Sequence, residues 1–137
     1  MRTEIFPATF ESLDSIREFV GQAARDAEMN VDEVYAVQLA VDEACTNIIE
    51  YGYRDMKGEN IECTFNIVPD GLTVILKDHG KPFDPTSVPD PDFTSDIKKR
   101  QLGGLGVFLM RHMMDKMSYE SLGEAGNVLT MSKHRRS

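Results

Sequence analysis

The chain has 137 residues, 41% hydrophobic and 28% charged, with a formal net charge of -8. That balance predicts one globular domain large enough to bury its own core, and it excludes a disordered chain. Acidic residues spread along the whole length make nucleic acid a poor partner, and no apolar run approaches the roughly 20 residues of a membrane-spanning helix.

Residues 3–8 are expected to form a short strand. Leu13, Ile16, Val20, Ala23, Ala24 and Ala27 then recur at spacings of three and four, the pattern of an amphipathic helix. Asn30 is placed to cap a second helix, which carries Val37, Ala40, Val41, Ala44, Cys45 and Ile48 on one stripe and should end at Gly52. Leu39 falls off that stripe, which predicts cover on more than one side. From Ile61 the period changes to two: Ile61, Cys63, Phe65 and Ile67 alternate with Glu62, Thr64 and Asn66. Pro69-Asp70-Gly71 supplies a turn, and Leu72, Val74 and Leu76 alternate on the return, so the pair reads as a hairpin.

Residues 80–102 hold Pro82, Pro85, Pro89 and Pro91 and no clear period, which predicts a long loop of the kind that often serves as an active-site lid. A helix over about 104–115 follows, then alternating segments near 117–122 and 127–133 split by Gly123 and Gly126. The economical packing is a mostly antiparallel sheet with helices on one face. Cys45 and Cys63 fall inside a predicted helix and strand without metal-ligand spacing, so both are expected to be buried thiols. The methionines Met110, Met113, Met114 and Met117 read as core packing or as an adaptable partner surface. Of two basic clusters, Lys98-Lys99-Arg100 lies in the loop and His134-Arg135-Arg136 is expected to be a solvated terminus. The start, Met1-Arg2-Thr3-Glu4, lacks a signal-peptide core, and a cytoplasmic location is expected.

Three places carry candidate chemistry. On a helix Glu43 and Asn47 fall side by side at the edge of the apolar stripe, next to Ala36 and Ala40. A half-buried carboxylate has a raised pKa and suits a general base, and the asparagine adds a neutral oxygen for a hard cation. An ordinary i, i+4 surface pair is the alternative. Asp78 continues the register of Leu72, Val74 and Leu76, so its carboxylate should face the apolar side and need a partner there; otherwise it turns to solvent at the strand end. Facing a ligand, an acceptor-only group favours the exocyclic amine of adenine. Gly103, Gly104 and Gly106 open a helix, where backbone N–H groups and the dipole favour a phosphate. They also fit a hinge. Lys98, Lys99 and Arg100 lie close enough in sequence to fold over a terminal phosphate, or they are simply solvated.

Asp42-Glu43-Ala44-Cys45-Thr46-Asn47 through Gly52-Tyr53, then Asp78-His79-Gly80, then Gly103-Gly104-Leu105-Gly106 resemble, in order and spacing, the N, G1 and G2 boxes of the GHKL ATPases. The likeness is strongest to the stand-alone anti-sigma-factor serine/threonine kinases, because it covers nearly the whole chain. It implies a Bergerat-type α/β (α+β) two-layer sandwich over residues 1–137, with the ATP lid over about 84–102. It also implies ATP and magnesium as cofactors, Asn47 on the metal, Glu43 as catalytic base and Asp78 on adenine. Gly80, Lys98, Arg100, Gly103, Gly104, Leu105, Gly106 and Thr130 complete the implied nucleotide contacts. Pro82 departs from the pattern where many members have a second glycine, and Asn127 where a threonine often follows glycine.

The implied activity is that of an anti-sigma factor which phosphorylates a STAS-type anti-anti-sigma partner and acts as a homodimer. An ATP-loaded module that sequesters a partner without phosphotransfer is the alternative. A histidine kinase is disfavoured, since His79, His112 and His134 all fall within or after the nucleotide motifs.

Overall fold

The period-two segments pair as one sheet in a computed structural model that describes residues 1–89 and 104–136. Its strands are β1 (Arg2–Pro7), β2 (Asn60–Val68), β3 (Gly71–Asp78), β4 (Lys116–Ser121) and β5 (Asn127–His134). Their order is β1-β2-β3-β5-β4 and every pairing is antiparallel. Leu72, Val74 and Leu76 of β3 lie opposite Lys133, Met131 and Leu129 of β5, so a single run of alternation fixes which face of both strands is apolar.

Helices α1 (Leu13–Asp26), α2 (Val31–Asn47) and α3 (Gly104–Met113) cover that face. Ile16, Val20, Val37, Val41, Ile61, Cys63, Leu76, Met110 and Met131 are fully buried between the layers. Each such side chain contributes roughly 1.5–3 kcal/mol by leaving water. Asn30 caps α2 as expected: its side chain accepts from the Glu33 N–H, and the Glu33 carboxylate accepts from the Asn30 N–H. α2 packs between α1 and α3, which covers the half-buried Leu39. Cys45 and Cys63 are free and buried, and burial pushes the Cys63 thiol up to about 12.

Two expectations change. Ile67 follows the alternation of β2 but is 42% exposed, although its cross-strand partner Leu72 is fully buried. The basic cluster His134-Arg135-Arg136 is tied down by hydrogen bonds, although the Arg136 side chain stays exposed. The Arg135 guanidinium donates to the carbonyls of Ala27 and Pro69, and the Arg136 N–H donates to the Glu33 carboxylate at 2.5 Å. The segment therefore ties the end of α1 and the start of α2 to the β2–β3 turn, and Arg135 offsets the negative end of the α1 dipole.

Candidate functional site

The end of β3, the last turn of α2, α3 and the start of β5 surround one cleft, lined by Ala44, Asn47, Ile48, Gly52, Asp78, Met110 and Leu129. Phe83, Pro85 and Tyr119 complete its rim, and most of the lining is apolar. Local chain behaviour builds this shape. After Asn47 the helix loosens into a π turn, Ile48–Gly52, of the sort common at functional sites. The Gly52 carbonyl then accepts the Lys81 N–H at 2.6 Å, which draws the segment after β3 against the helix end. Gly80 has no room for a side chain, since a Cβ there would overlap the Gly52 carbonyl.

Asp78 sits at the base of the cleft, 6% exposed. Its Oδ1 accepts from the Gly80 N–H at 2.8 Å and from the Asn127 amide at 3.0 Å. Burial raises the pKa of this carboxyl, and the two donors pull it back. Its Oδ2 has no hydrogen bond among the described residues. The strand end is held from the other side by Tyr53, whose hydroxyl accepts the His79 N–H at 2.7 Å and donates to the Asn60 carbonyl at 2.8 Å.

Asn47 is 6% exposed, and its Nδ2 donates to the Met110 sulfur at 3.9 Å. That leaves Oδ1 without a hydrogen bond among the described residues. Glu43, one turn earlier, is half-buried; burial raises its pKa, and the charges of Asp42 and Glu50 raise it further. Its carboxylate lies against the first turn of α3. A Cβ on Gly106 would collide with Glu43 Oε2 and stand 3.3 Å from Cδ.

The segment leaving β3 is fixed by side chains. The Tyr119 hydroxyl accepts the Phe83 N–H at 3.0 Å, Phe83 stacks on Tyr51 at 5.1 Å, and Arg54 lies over the Tyr51 ring. Arg111 of α3 donates to the carbonyls of Pro85 and Val88.

Asn47 and Asp78 thus line one cleft, Gly80 is hydrogen-bonded to Asp78, and Glu43 lies against Gly106 outside that lining. Gly104 opens α3 as expected, and Leu105 is its second residue. Lys98, Arg100, Gly103 and all but the first few residues of the expected lid lie outside the described residues. Thr130 is corrected: it alternates with the inward Leu129 and Met131, and pairs with Ile75 and Ser118 on the outer face of the sheet, away from the cleft. On this strand Asn127 and Leu129 face the site instead. Sequence reading also passed over Tyr53, Tyr119 and Met110 as site residues; Met110 sits one helical turn beyond Gly106, a spacing that gave the only signal.

A magnesium ion fits what is present. No group of three or more His, Cys, Asp or Glu among the described residues is arranged to hold a metal ion, while the free Asn47 oxygen offers one hard ligand beside a cleft open to phosphates. One protein oxygen plus nucleotide phosphates is the usual way magnesium is held.

An antiparallel sheet under three helices, with an apolar cleft ending in a buried carboxylate, defines an ATPase domain of the histidine-kinase type. The chain belongs to that family: the model of the histidine kinase-like ATPase domain matches residues 6–133. Among its relatives is the serine-protein kinase RsbW of Halalkalibacterium halodurans, 30% identical over 93% of this chain and 78% of that protein. RsbW of Bacillus subtilis is also 30% identical, over 93% of this chain and 81% of its own length. Of solved structures, the RsbU and RsbW domains of a Mycobacterium tuberculosis protein superpose with TM-score 0.62 at 12% identity, over 98% of this chain and 32% of that one. The histidine kinase AdeS of Acinetobacter baumannii gives 0.51 at 15% identity, over 100% of this chain and 69% of that one. These two likenesses concern the fold. No helix among the described residues is long and apolar enough to cross a membrane.

Proposed function

We propose that the chain is an anti-sigma factor with ATP-dependent protein serine/threonine kinase activity, acting in the cytoplasm as a homodimer. It binds a sigma factor and phosphorylates a serine of a STAS-type partner. The observation that carries the reading is the one Asp78 oxygen without a hydrogen bond among the described residues, in an apolar cleft that Asn47 also lines, with Glu43 one helical turn from Asn47. An acceptor in that place suits the 6-amino group of adenine, and apolar side chains suit its ring.

In this reading Asp78 orients the base and Gly104, Leu105 and Gly106 bring the start of α3 toward the phosphates, with Lys98, Arg100 and Gly103 assigned to them by resemblance. Magnesium, when bound through Asn47, offsets phosphate charge. Glu43 accepts the proton of the partner's serine hydroxyl as its oxygen bonds to the γ-phosphorus and the bond to ADP breaks. Its raised pKa makes it a better proton acceptor than a solvated glutamate.

Incubation with γ-labelled ATP, magnesium and a STAS-domain protein should give labelled phosphoserine on that protein. Tight ATP binding without transfer to any STAS protein would replace the kinase with the sequestering module.

A further inference from the structure

Asn127 is among the most buried polar side chains of the described residues, 2% exposed. Its three hydrogen bonds leave one orientation for the amide. Nδ2 donates to Asp78 Oδ1 at 3.0 Å and to the Gly80 carbonyl at 2.9 Å. Oδ1 accepts from the Ser121 hydroxyl at 2.9 Å. Flipping the amide would set its oxygen against two acceptors, so the Gly80 carbonyl locks the donor toward Asp78, and the Ser121 hydroxyl, donating to Oδ1, holds the side chain in place.

The consequence falls on Asp78. With Gly80 N–H and Asn127 Nδ2 both donating to Oδ1, that oxygen is occupied, and Oδ2 is left without a hydrogen bond among the described residues of a side chain that lines the cleft. A base presenting an amine at that point gains a charge-assisted hydrogen bond; one presenting a carbonyl sets oxygen against oxygen in a buried site. We propose that Asn127 is the positioning residue that sets purine choice, making Asp78 selective for a 6-amino over a 6-oxo purine nucleotide, with Ser121 holding its side chain in place.

The inference rests on the nucleotide-site reading and goes beyond it, because it assigns selectivity to a side chain that need not touch the nucleotide. A threonine at 127 keeps one hydroxyl donor for Asp78 but has none left for the Gly80 carbonyl. A leucine keeps the branching of the side chain but offers no donor, so Asp78 loses one of the two bonds that commit it to accepting.

The test compares Kd for ATP and for ITP, which differ at the 6-position, in the wild type, Asn127→Leu, Asn127→Thr and Ser121→Ala. Thermal unfolding of each variant checks the fold. The wild type should prefer ATP by roughly tenfold to a hundredfold, the range of one hydrogen bond to a charged group. Asn127→Leu should shrink the ratio roughly tenfold, and Asn127→Thr should keep most of it. Ser121 lies at the exposed end of β4, so Ser121→Ala folds and should narrow the ratio severalfold, which covers the case in which Asn127→Leu fails to fold. A ratio unchanged in both Asn127→Leu and Ser121→Ala, or a wild type that binds both nucleotides equally, overturns the role of Asn127 and leaves the nucleotide site standing. A wild type that binds neither nucleotide overturns the site reading and this inference with it.

Discussion

The carboxylate of Glu43 occupies the space that a side chain on Gly106 would take. A glycine read from sequence as part of a phosphate cradle is thus also what lets a half-buried carboxylate lie flat against the first turn of α3. Gly106→Ala should displace Glu43 while adding a residue that favours helix. The expected result is a fall in kcat for phosphotransfer with ATP affinity changed much less, read by transfer assays beside nucleotide displacement. Equal loss of both would return Gly106 to the phosphates alone.

Glu43→Gln should retain ATP binding and lose about 100-fold to 10,000-fold in transfer rate, the usual worth of a general base. The base works ionised, and burial with Asp42 and Glu50 raises its pKa. The wild-type rate should therefore climb with pH through a pKa above the ordinary glutamate value. Glu50→Gln should move that limb to lower pH. A limb that survives in Glu43→Gln assigns the titration elsewhere.

Asp78 carries an opposite pair of consequences for stability and binding. Its folded pKa lies above its unfolded value, so its contribution to stability is complete below the unfolded pKa and is lost as pH rises through the folded one. At neutral pH the charged group is a cost to the fold. Asp78→Asn, which keeps an oxygen for the Gly80 and Asn127 donors, should melt at least as high as wild type near pH ~7, with any gain vanishing near pH ~4. ATP affinity should fall at least tenfold with loss of the charged acceptor. A variant that melts lower at neutral pH but binds ATP normally contradicts both halves.

Glu33 has the reverse sign. The Asn30 N–H holds its pKa below the ordinary range against the effect of burial, with the Arg136 N–H helping. Its stabilisation is present above the unfolded pKa and is lost as pH falls through the folded one. Glu33→Ala removes half of a capping box and the anchor of the C-terminal segment, and should cost about 1–2 kcal/mol at neutral pH. Urea unfolding across the acid range should show the variant and wild type converging as pH falls.

Element types were legible because one face of each element is buried and the other is not. The alternation through Leu72, Val74 and Leu76 carried on to place Asp78 correctly, and Asn30 with Glu33 marked the start of α2. The same rule, applied from Leu129 and Met131, puts Thr130 outside, so that error came from following a family pattern past the local register. Other features depend on contacts between distant parts of the chain. Asn127 meets Asp78 across 49 residues, Asn47 meets Met110 across 63, and Arg136 reaches Glu33 across 103. No local period carries such information. The basic C-terminal cluster looked like a solvated end because nothing nearby in sequence reveals the carbonyls and carboxylate that receive it.

The aromatic rings around the cleft also give the protein a spectroscopic address. The chain has four tyrosines and no tryptophan. Tyr35 lies exposed on α2, whereas Tyr119 lines the cleft rim, Tyr53 holds the residue after Asp78, and Tyr51 is stacked on Phe83. Three of the four tyrosines thus stand around one site, and a tryptophan placed at Phe83, excited beyond the tyrosine band, would report the arrival of a ligand there.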